Sequence, residues 1–365
     1  MRSKLHRRWI TLLVFILAGK ANLNSYLPYH DIQSYPRMAT AYPEFAGDVA
    51  SPFAYRLLGP SLVGLFFENI DMGFQILNTV GLLAVILSVY RLLIEYNISP
   101  VISFYITLFF LCNRYALPYY AFEFYRFADV LSLLSLIWGL IFLNRRKLIA
   151  ICIAVFVGML ARESALLILP VVLVYLYHYN NKQECLKFAL CSVFLLILFF
   201  GFRSLIPATE GPTLVQSFQT YWSKIFSPGS LIKKLFIAYN PMFLLPVVYW
   251  RKFKVFNQSH LHFFVFLIVT FLSTLFGGDT ERLMLPYFPV YYLFIATIFE
   301  DLKRSGGLDH ALLIGISVLC WLSNLYHLWG LVRLPGAHYS MTVTFAGSLI
   351  VFYLVKRYQN RAEHA

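Results

Sequence analysis

The sequence predicts an all-α, polytopic membrane protein with about twelve membrane helices. Hydrophobic residues make up 59% of the 365 residues and charged residues only 13%, whereas an ordinary soluble domain carries about a quarter charged residues. Apolar runs long enough to cross a bilayer recur along the whole chain. Short polar segments separate them, and the basic residues cluster there. Residues 1–365 are therefore interpreted as one integral membrane domain, with membrane lipids around it and no soluble C-terminal domain.

The net charge of +13 does not indicate nucleic-acid binding. The basic residues form short clusters between apolar runs, as the positive-inside rule describes, and not one continuous stripe. The five cysteines lie mostly within or beside predicted spans, with neither metal-ligand spacing nor a disulfide framework. We interpret them as small packing residues.

The chain begins with a basic segment followed by the apolar run Trp9–Ala18. A cleaved signal peptide is one interpretation, but Lys20 interrupts the cleavage-like sequence and many spans follow, which favours a retained first helix. Residues 28–73 then form the first outer loop. Its apolar part, Leu57–Phe67, is too short to span, so we expect a helix that lies along the membrane surface or dips into it.

The apolar run Leu148–Tyr177 decides the predicted orientation. As a single helix it would be about 45 Å long at 1.5 Å per residue, which exceeds the ~30 Å hydrocarbon core. A hairpin broken at Arg162-Glu163 keeps the later basic clusters, 251–254, 303–304 and 356–357, on the cytosolic side. The sequence thus predicts a multi-pass protein of the inner (cytoplasmic) membrane with both termini in the cytosol. Most acidic residues then face outward, which the positive-inside rule does not explain.

Charged residues that are distant in sequence all fall on this predicted outer face. They are Asp48 and Arg56 in the first loop, Arg114, Arg126 and Asp129 in the second connection, Arg162 and Glu163 at the hairpin, and Asp279, Glu281 and Arg282 in a tight turn. Guanidinium groups bind phosphate through paired hydrogen bonds. A nearby carboxylate would activate a hydroxyl or hold a divalent cation such as Mg²⁺ or Mn²⁺. We predict Asp48 as the catalytic acid and the other nine as substrate-binding residues.

Each of these residues also has a purely structural interpretation. Asp129 follows Arg126 by three residues at the start of a span, which suits a helix cap with a local ion pair. Arg114 suits a headgroup anchor, and the acids before Arg282 suit a helix cap. Arg162-Glu163 would serve as a buried pair and Asp48 as an ordinary loop acid.

The layout resembles the GT-C superfamily of membrane glycosyltransferases, which use lipid-phosphate-linked sugars. The shared features are an N-in first helix, a long first outer loop with an acid, surface helices and outward arginines. The run Pro52–Pro60 is similar to an aromatic-Tyr-Arg-Leu-x-x-Pro segment of bacterial membrane proteins of this kind, and Asp48 occupies the position of the family's first-loop acid. The sequence departs from the family's pattern in two ways. It has no second acid adjacent to Asp48, and it has no large soluble C-terminal domain of the kind found in some members.

The resemblance implies transfer of a sugar from a polyprenyl-phosphate donor to an envelope glycan, lipid or protein. Two alternatives stay open at this point. One is a transporter or flippase of a lipid-linked saccharide, and the other is an envelope polysaccharide polymerase. A transporter places its polar site near the membrane midplane, whereas the charged clusters predicted here lie toward one face, which favours the enzyme.

Overall fold

The computed structural model describes residues 30–113, 115–116, 120, 123–179, 181–209, 214–225, 230–239, 241–276, 280–305, 308, 310–324 and 345–357. In these residues the regular structure is helical, apart from an isolated parallel bridge between Ala50 and Thr209. The predicted all-α class is confirmed.

The helices follow one another with short connections. In chain order they are α1 His30–Ala41, α2 Leu58–Phe66, α3 Ile70–Glu95, α4 Pro100–Cys112, α5 Phe127–Asn144, α6 Leu148–Ala161, α7 Ile168–His178, α8 Lys182–Leu205, α9 Leu214–Ile225, α10 Ser230–Tyr239, α11 Leu244–Val248, α12 Trp250–Ser259, α13 Leu261–Ser273, α14 Thr280–Leu283, α15 Phe288–Arg304, α16 His310–Asn324 and α17 345–357. Short 3₁₀ turns lie at 53–55, 124–126, 163–167, 274–276 and 285–287.

Two helices, α1 and α2, lie within residues 28–73, where the sequence predicts short surface helices. Helix α1 packs against α2, and both contact α3. The nine-residue helix α2 lies within the apolar stretch Leu57–Phe67, which is too short to span a membrane. Asn69 ends this loop by capping α3, where its side chain accepts a hydrogen bond from the backbone N–H of Met72 at 3.0 Å.

The prediction of twelve spans is not confirmed. In the described parts of the chain, three helical segments are long and apolar enough to cross a membrane: Ile70–Glu95, Phe124–Asn144 and Lys182–Leu205. A fourth candidate is the pair formed by α12 and Leu261–Phe276, which is bent by 105°. Four shorter apolar helices accompany them, at Pro100–Cys112, Leu148–Ala161, Glu163–His178 and His310–Leu322. The predicted first helix lies outside the described residues.

One predicted span, Leu231–Trp250, is not a continuous helix. It is divided into α10, α11 and the start of α12. Pro241 precedes α11 and Pro246 lies within it, and proline cannot donate the backbone hydrogen bond that a continuous helix needs. The basic residues after Trp250 therefore lie on α12, which meets α13 at the sharp bend.

The predicted break at Arg162-Glu163 is present, and the chain turns back there. Helix α6 ends at Arg162, whose backbone is extended at φ −163° and ψ 143°. The side chain of Ile168 then reaches Gly139 in the middle of α5. The Arg146 guanidinium, just after α5, lies 6.0 Å from the centroid of the Tyr179 ring, just after α7. Helix α6 thus runs toward the start of α5, and α7 returns toward its end.

Close packing of α5 against α6 holds the hairpin in place. A methyl group on Gly158 of α6 would lie 2.6 Å from Cβ of Ser135 and 2.7 Å from Cβ of Ala165. The Ser135 hydroxyl donates to the carbonyl of Ala154 at 2.5 Å. Only glycine, which has no side chain, allows α6 to pack this closely against α5. The close packing places the turn at 162–163 beside the first residues of α5.

Candidate functional site

Two arginines converge on one buried carboxylate at the start of α5. Asp129 accepts a close hydrogen bond from Nη1 of Arg162, which follows α6. Nη1 of Arg282, on α14, lies 3.4 Å from the other oxygen of the same carboxylate. Asp129 is 3% exposed and Arg162 is 6% exposed, so this ionic group lies inside the helical bundle. Buried charges persist in proteins when they are paired in this way.

A second ion pair joins the loop of residues 28–73 to the hairpin. Nη2 and Nε of Arg56 donate to the two oxygens of Glu163 at 2.6 and 3.2 Å, which is the two-point geometry of a strong guanidinium–carboxylate pair. Nη1 of Arg56 donates to the Tyr35 hydroxyl of α1 at 3.0 Å. Because Arg162 and Glu163 are adjacent in the chain, the two pairs form one charged cluster.

The surroundings of Arg56 favour its charged form, as the direction of its pKa indicates. Burial opposes the charged guanidinium, but the carboxylates of Glu163 and Asp129 outweigh burial and raise its pKa well above the ordinary value. For the Tyr35 hydroxyl, burial raises the pKa and the neighbouring Arg56 opposes that shift. A cationic Arg56 and a neutral Tyr35 therefore persist across the physiological pH range.

A small cleft lies against this cluster and is lined by charged, hydroxyl and apolar side chains. Its polar lining residues are Asp129, Ser132, Arg162, Ser164, Ser273 and Arg282. The hydroxyls of Ser132 and Ser164 are 2.8 Å apart. The cavity volume of about 20 Å³ holds about one water molecule. The Nε atom of Arg162 is buried and has no hydrogen-bond partner among the described residues.

The geometry permits anion binding if the cleft opens. A guanidinium group that donates only some of its N–H groups to a carboxylate can turn the others toward a phosphate oxygen. The 3.4 Å contact between Arg282 and Asp129 is longer than an ordinary N–H···O hydrogen bond. Of the two guanidinium groups, Arg282 thus makes the longer contact with Asp129.

The structure places Asp48 in a different setting. Its carboxylate forms an ion pair with Nη1 of Arg37 at 3.1 Å, with side chains 66% and 57% exposed. The backbone on its C-terminal side is held against the segment that follows α8, since Thr209 donates to the carbonyl of Val49 and Ser51 donates to the carbonyl of Thr209, both at 3.1 Å. Asp48 thus lies on the surface of the loop that carries Arg56, open to solvent.

Four predicted site residues remain: Arg126, Arg114, Asp279 and Glu281. Arg126 is paired with Glu123, three residues earlier, in the turn before α5. Arg114 and Asp279 lie outside the described residues, and only the backbone of Glu281 is described, in α14. The structure therefore brings together five of the predicted residues: Arg56, Asp129, Arg162, Glu163 and Arg282.

Several neighbours of the cluster were not predicted. Besides Tyr35 and the three cleft serines, Tyr120 lies 3.3 Å from the Asp129 carboxylate. Arg203, at the end of α8, lies 4.1 Å from the centroid of the Tyr55 ring. A single tyrosine or serine in a chain rich in both has no distinguishing spacing, so the sequence carries no signal for them.

The described residues lack a cluster of the side chains that typically bind a metal ion. No group of three or more His, Cys, Asp or Glu side chains in them has the arrangement that holds a metal ion. Asp129 and Glu163 are each engaged by arginines, which is opposite to the charge environment that a divalent cation requires.

The fold is shared with a solved membrane protein. No protein-family model and no curated protein sequence matches this chain. The crystal structure of ArnT from Cupriavidus metallidurans in the apo state matches 95% of this chain and 75% of its own, with a TM-score of 0.53 and 12% sequence identity. The structure of ArnT bound to undecaprenyl phosphate matches with a TM-score of 0.52, again at 12% identity, over 95% of this chain and 76% of its own. The chain therefore shares the fold of ArnT, which agrees with the fold that the resemblance in the sequence implied.

Proposed function

We propose that this protein is a membrane glycosyltransferase that transfers a sugar from a polyprenyl-phosphate donor to a hydroxyl acceptor at the outer face of the membrane. The observation that carries the proposal is the buried cluster of arginines and carboxylates in an ArnT-like fold. ArnT itself has been solved with undecaprenyl phosphate bound, and a cluster rich in guanidinium groups suits the phosphate of such a donor.

In this proposal the arginines bind the donor phosphate. Arg282 turns away from Asp129, and Arg162 offers its free Nε atom, so that both guanidinium groups contact the phosphate oxygens. Arg56 and Glu163 hold the hairpin turn and the outer loop together. Positive charge placed before the reaction stabilises the phosphate as it leaves, because the charges need no reorganisation.

The transfer step forms one bond and breaks one. The acceptor oxygen bonds to the anomeric carbon of the sugar, and the bond from that carbon to the phosphate oxygen breaks. The phosphate leaves with the electron pair, and a general base takes the proton of the acceptor hydroxyl. We assign that base to Asp48, whose exposed carboxylate can meet an acceptor from outside after it separates from Arg37.

Arginine-to-lysine variants test the phosphate site. Purified protein in vesicles, supplied with a polyprenyl-phosphate-linked hexose, should transfer or hydrolyse the sugar. Arg162→Lys should lower donor turnover by about 10²-fold or more, because an ammonium group cannot reproduce a two-point phosphate contact. Binding of the polyprenyl phosphate alone should weaken in the same variant.

Arg145→Lys is the matched control. Arg145 donates to Glu95 at 2.9 and 2.6 Å, which is a comparable two-point pair at the opposite end of α5. The Arg145→Lys variant should change the stability of the protein without changing its binding of polyprenyl phosphate. Unchanged binding of polyprenyl phosphate to Arg162→Lys would remove the cluster from donor recognition.

Mass spectrometry of a strain that lacks the protein separates the function classes. A transferase predicts accumulated lipid-linked donor together with an acceptor that lacks one sugar. A flippase predicts that the lipid-linked sugar is trapped on the cytosolic leaflet, and a polymerase predicts single repeat units that are not joined.

A further inference from the structure

A second cavity lies beside the loop that carries Arg56. Its volume is about 250 Å³, and it lies between the C-terminal end of α1, the turn that follows, the start of α2 and the segment after α8. The apolar residues that contribute most of its lining include Met38, Phe45, Leu57, Pro60 and Ile206. An apolar cavity of about 150 Å³ already holds a benzene-sized molecule, so this one accommodates a short alkyl segment or a substituted ring.

One short backbone segment connects the larger cavity with the charged cluster. Ala54 and Leu57 line the larger cavity, whereas the side chain of Arg56 between them donates to Glu163 in the charged cluster. A group held in the larger cavity therefore lies next to the segment of Arg56, which is paired with Glu163, the neighbour in sequence of Arg162.

The chemistry of the two cavities is opposite. Arg162 and Arg282 line the small cleft. Among the described residues, no cationic side chain lines the large cavity, and the one charged residue in its lining is an acid, Glu44. A phosphate-bearing group is disfavoured there, because the carboxylate repels it and no guanidinium binds it. The large cavity suits an uncharged or cationic apolar group.

We propose that this cavity binds an apolar portion of the acceptor, so that the acceptor is a membrane-anchored amphiphile and not a free glycan. The inference rests on the proposed function, since a transferase must hold two substrates at once. The rim of the cavity supports a membrane-borne ligand. Tyr42 is 38% exposed and Phe45 is 51% exposed there, and aromatic side chains favour the membrane–water interface.

Photolabelling of the full chain tests this assignment. The protein is placed in phosphatidylcholine nanodiscs and exposed to decyl glucoside with a diazirine at the end of its alkyl chain. We expect saturable labelling of residues 38–61, mapped by mass spectrometry. Ser61→Phe places a ring in the cavity and should reduce that labelling by about tenfold. The control Leu65→Phe, on an exposed side of the same helix, should leave it unchanged.

Competition on the wild-type protein gives a second measurement that does not depend on the variants. Excess unlabelled decyl glucoside should displace the probe, and polyprenyl phosphate should not. Displacement by polyprenyl phosphate would assign the cavity to the donor chain and overturn the proposal. Labelling spread equally over the exposed apolar face of α8 would overturn it too. Arg162→Lys should keep the labelling, so a failure of the donor site is distinguishable from a failure of this cavity.

Discussion

At the scale of single residues, Asp48 tests the proposed reaction most directly. Asp48→Asn preserves the size of the side chain but removes the base. It should lower turnover by about 10²–10⁴-fold, the usual contribution of a general base. The melting temperature should stay close to that of the wild type, since the side chain is 66% exposed and its ion pair contributes little to stability.

Arg37→Gln is the control for this variant, because it removes the same surface ion pair and leaves the carboxylate. It should retain most of the activity. Full activity in purified Asp48→Asn protein would exclude Asp48 as the base, and the acids of the 279–281 segment would be the next to test.

At the scale of helices, Gly158 tests whether the hairpin positions the site. Gly158→Ala forces its new methyl group against Ser135 and Ala165, and such overpacking costs about 1–3 kcal/mol. We expect a lower melting temperature together with weaker binding of polyprenyl phosphate, because α6 carries Arg162 to Asp129.

Gly201→Ala is the matched control, since a methyl group at this position in α8 meets nothing within 4 Å. It should be neutral or slightly stabilising, as alanine favours the helix. Equal effects of the two substitutions would show that the close packing of α6 does not position the charged cluster.

At the scale of the whole molecule, cysteine labelling tests the orientation. In a background that lacks the five native cysteines, Val215→Cys should react with a membrane-impermeant reagent added from outside. Lys254→Cys, on the basic helix α12, should react only after the membrane is permeabilised. Both positions are exposed, so burial does not account for a difference between them. The reverse pattern would invert the predicted topology.

Much of the architecture follows from the sequence alone. Hydropathy is a local property, so the membrane class and the long helices α3, α5 and α8 are visible as apolar runs. The short loop helix α2 and the break at Arg162-Glu163 are also local signals, because they depend on the length of each run and on the charges that interrupt it. The division of the span at 231–250 was missed, although Pro241 and Pro246 marked it.

The composition of the site depended on the tertiary structure. Arg56 and Glu163 are 107 positions apart, and Asp129 and Arg282 are 153 apart, so no periodicity in the chain links them. The sequence predicts that all four lie on one face of the membrane, because loop charges determine sidedness. The folded structure alone decided that Asp129 receives two arginines while Asp48 remains on the surface. The direction of each side chain depends on how the helices pack, and helix packing is not encoded in any single segment.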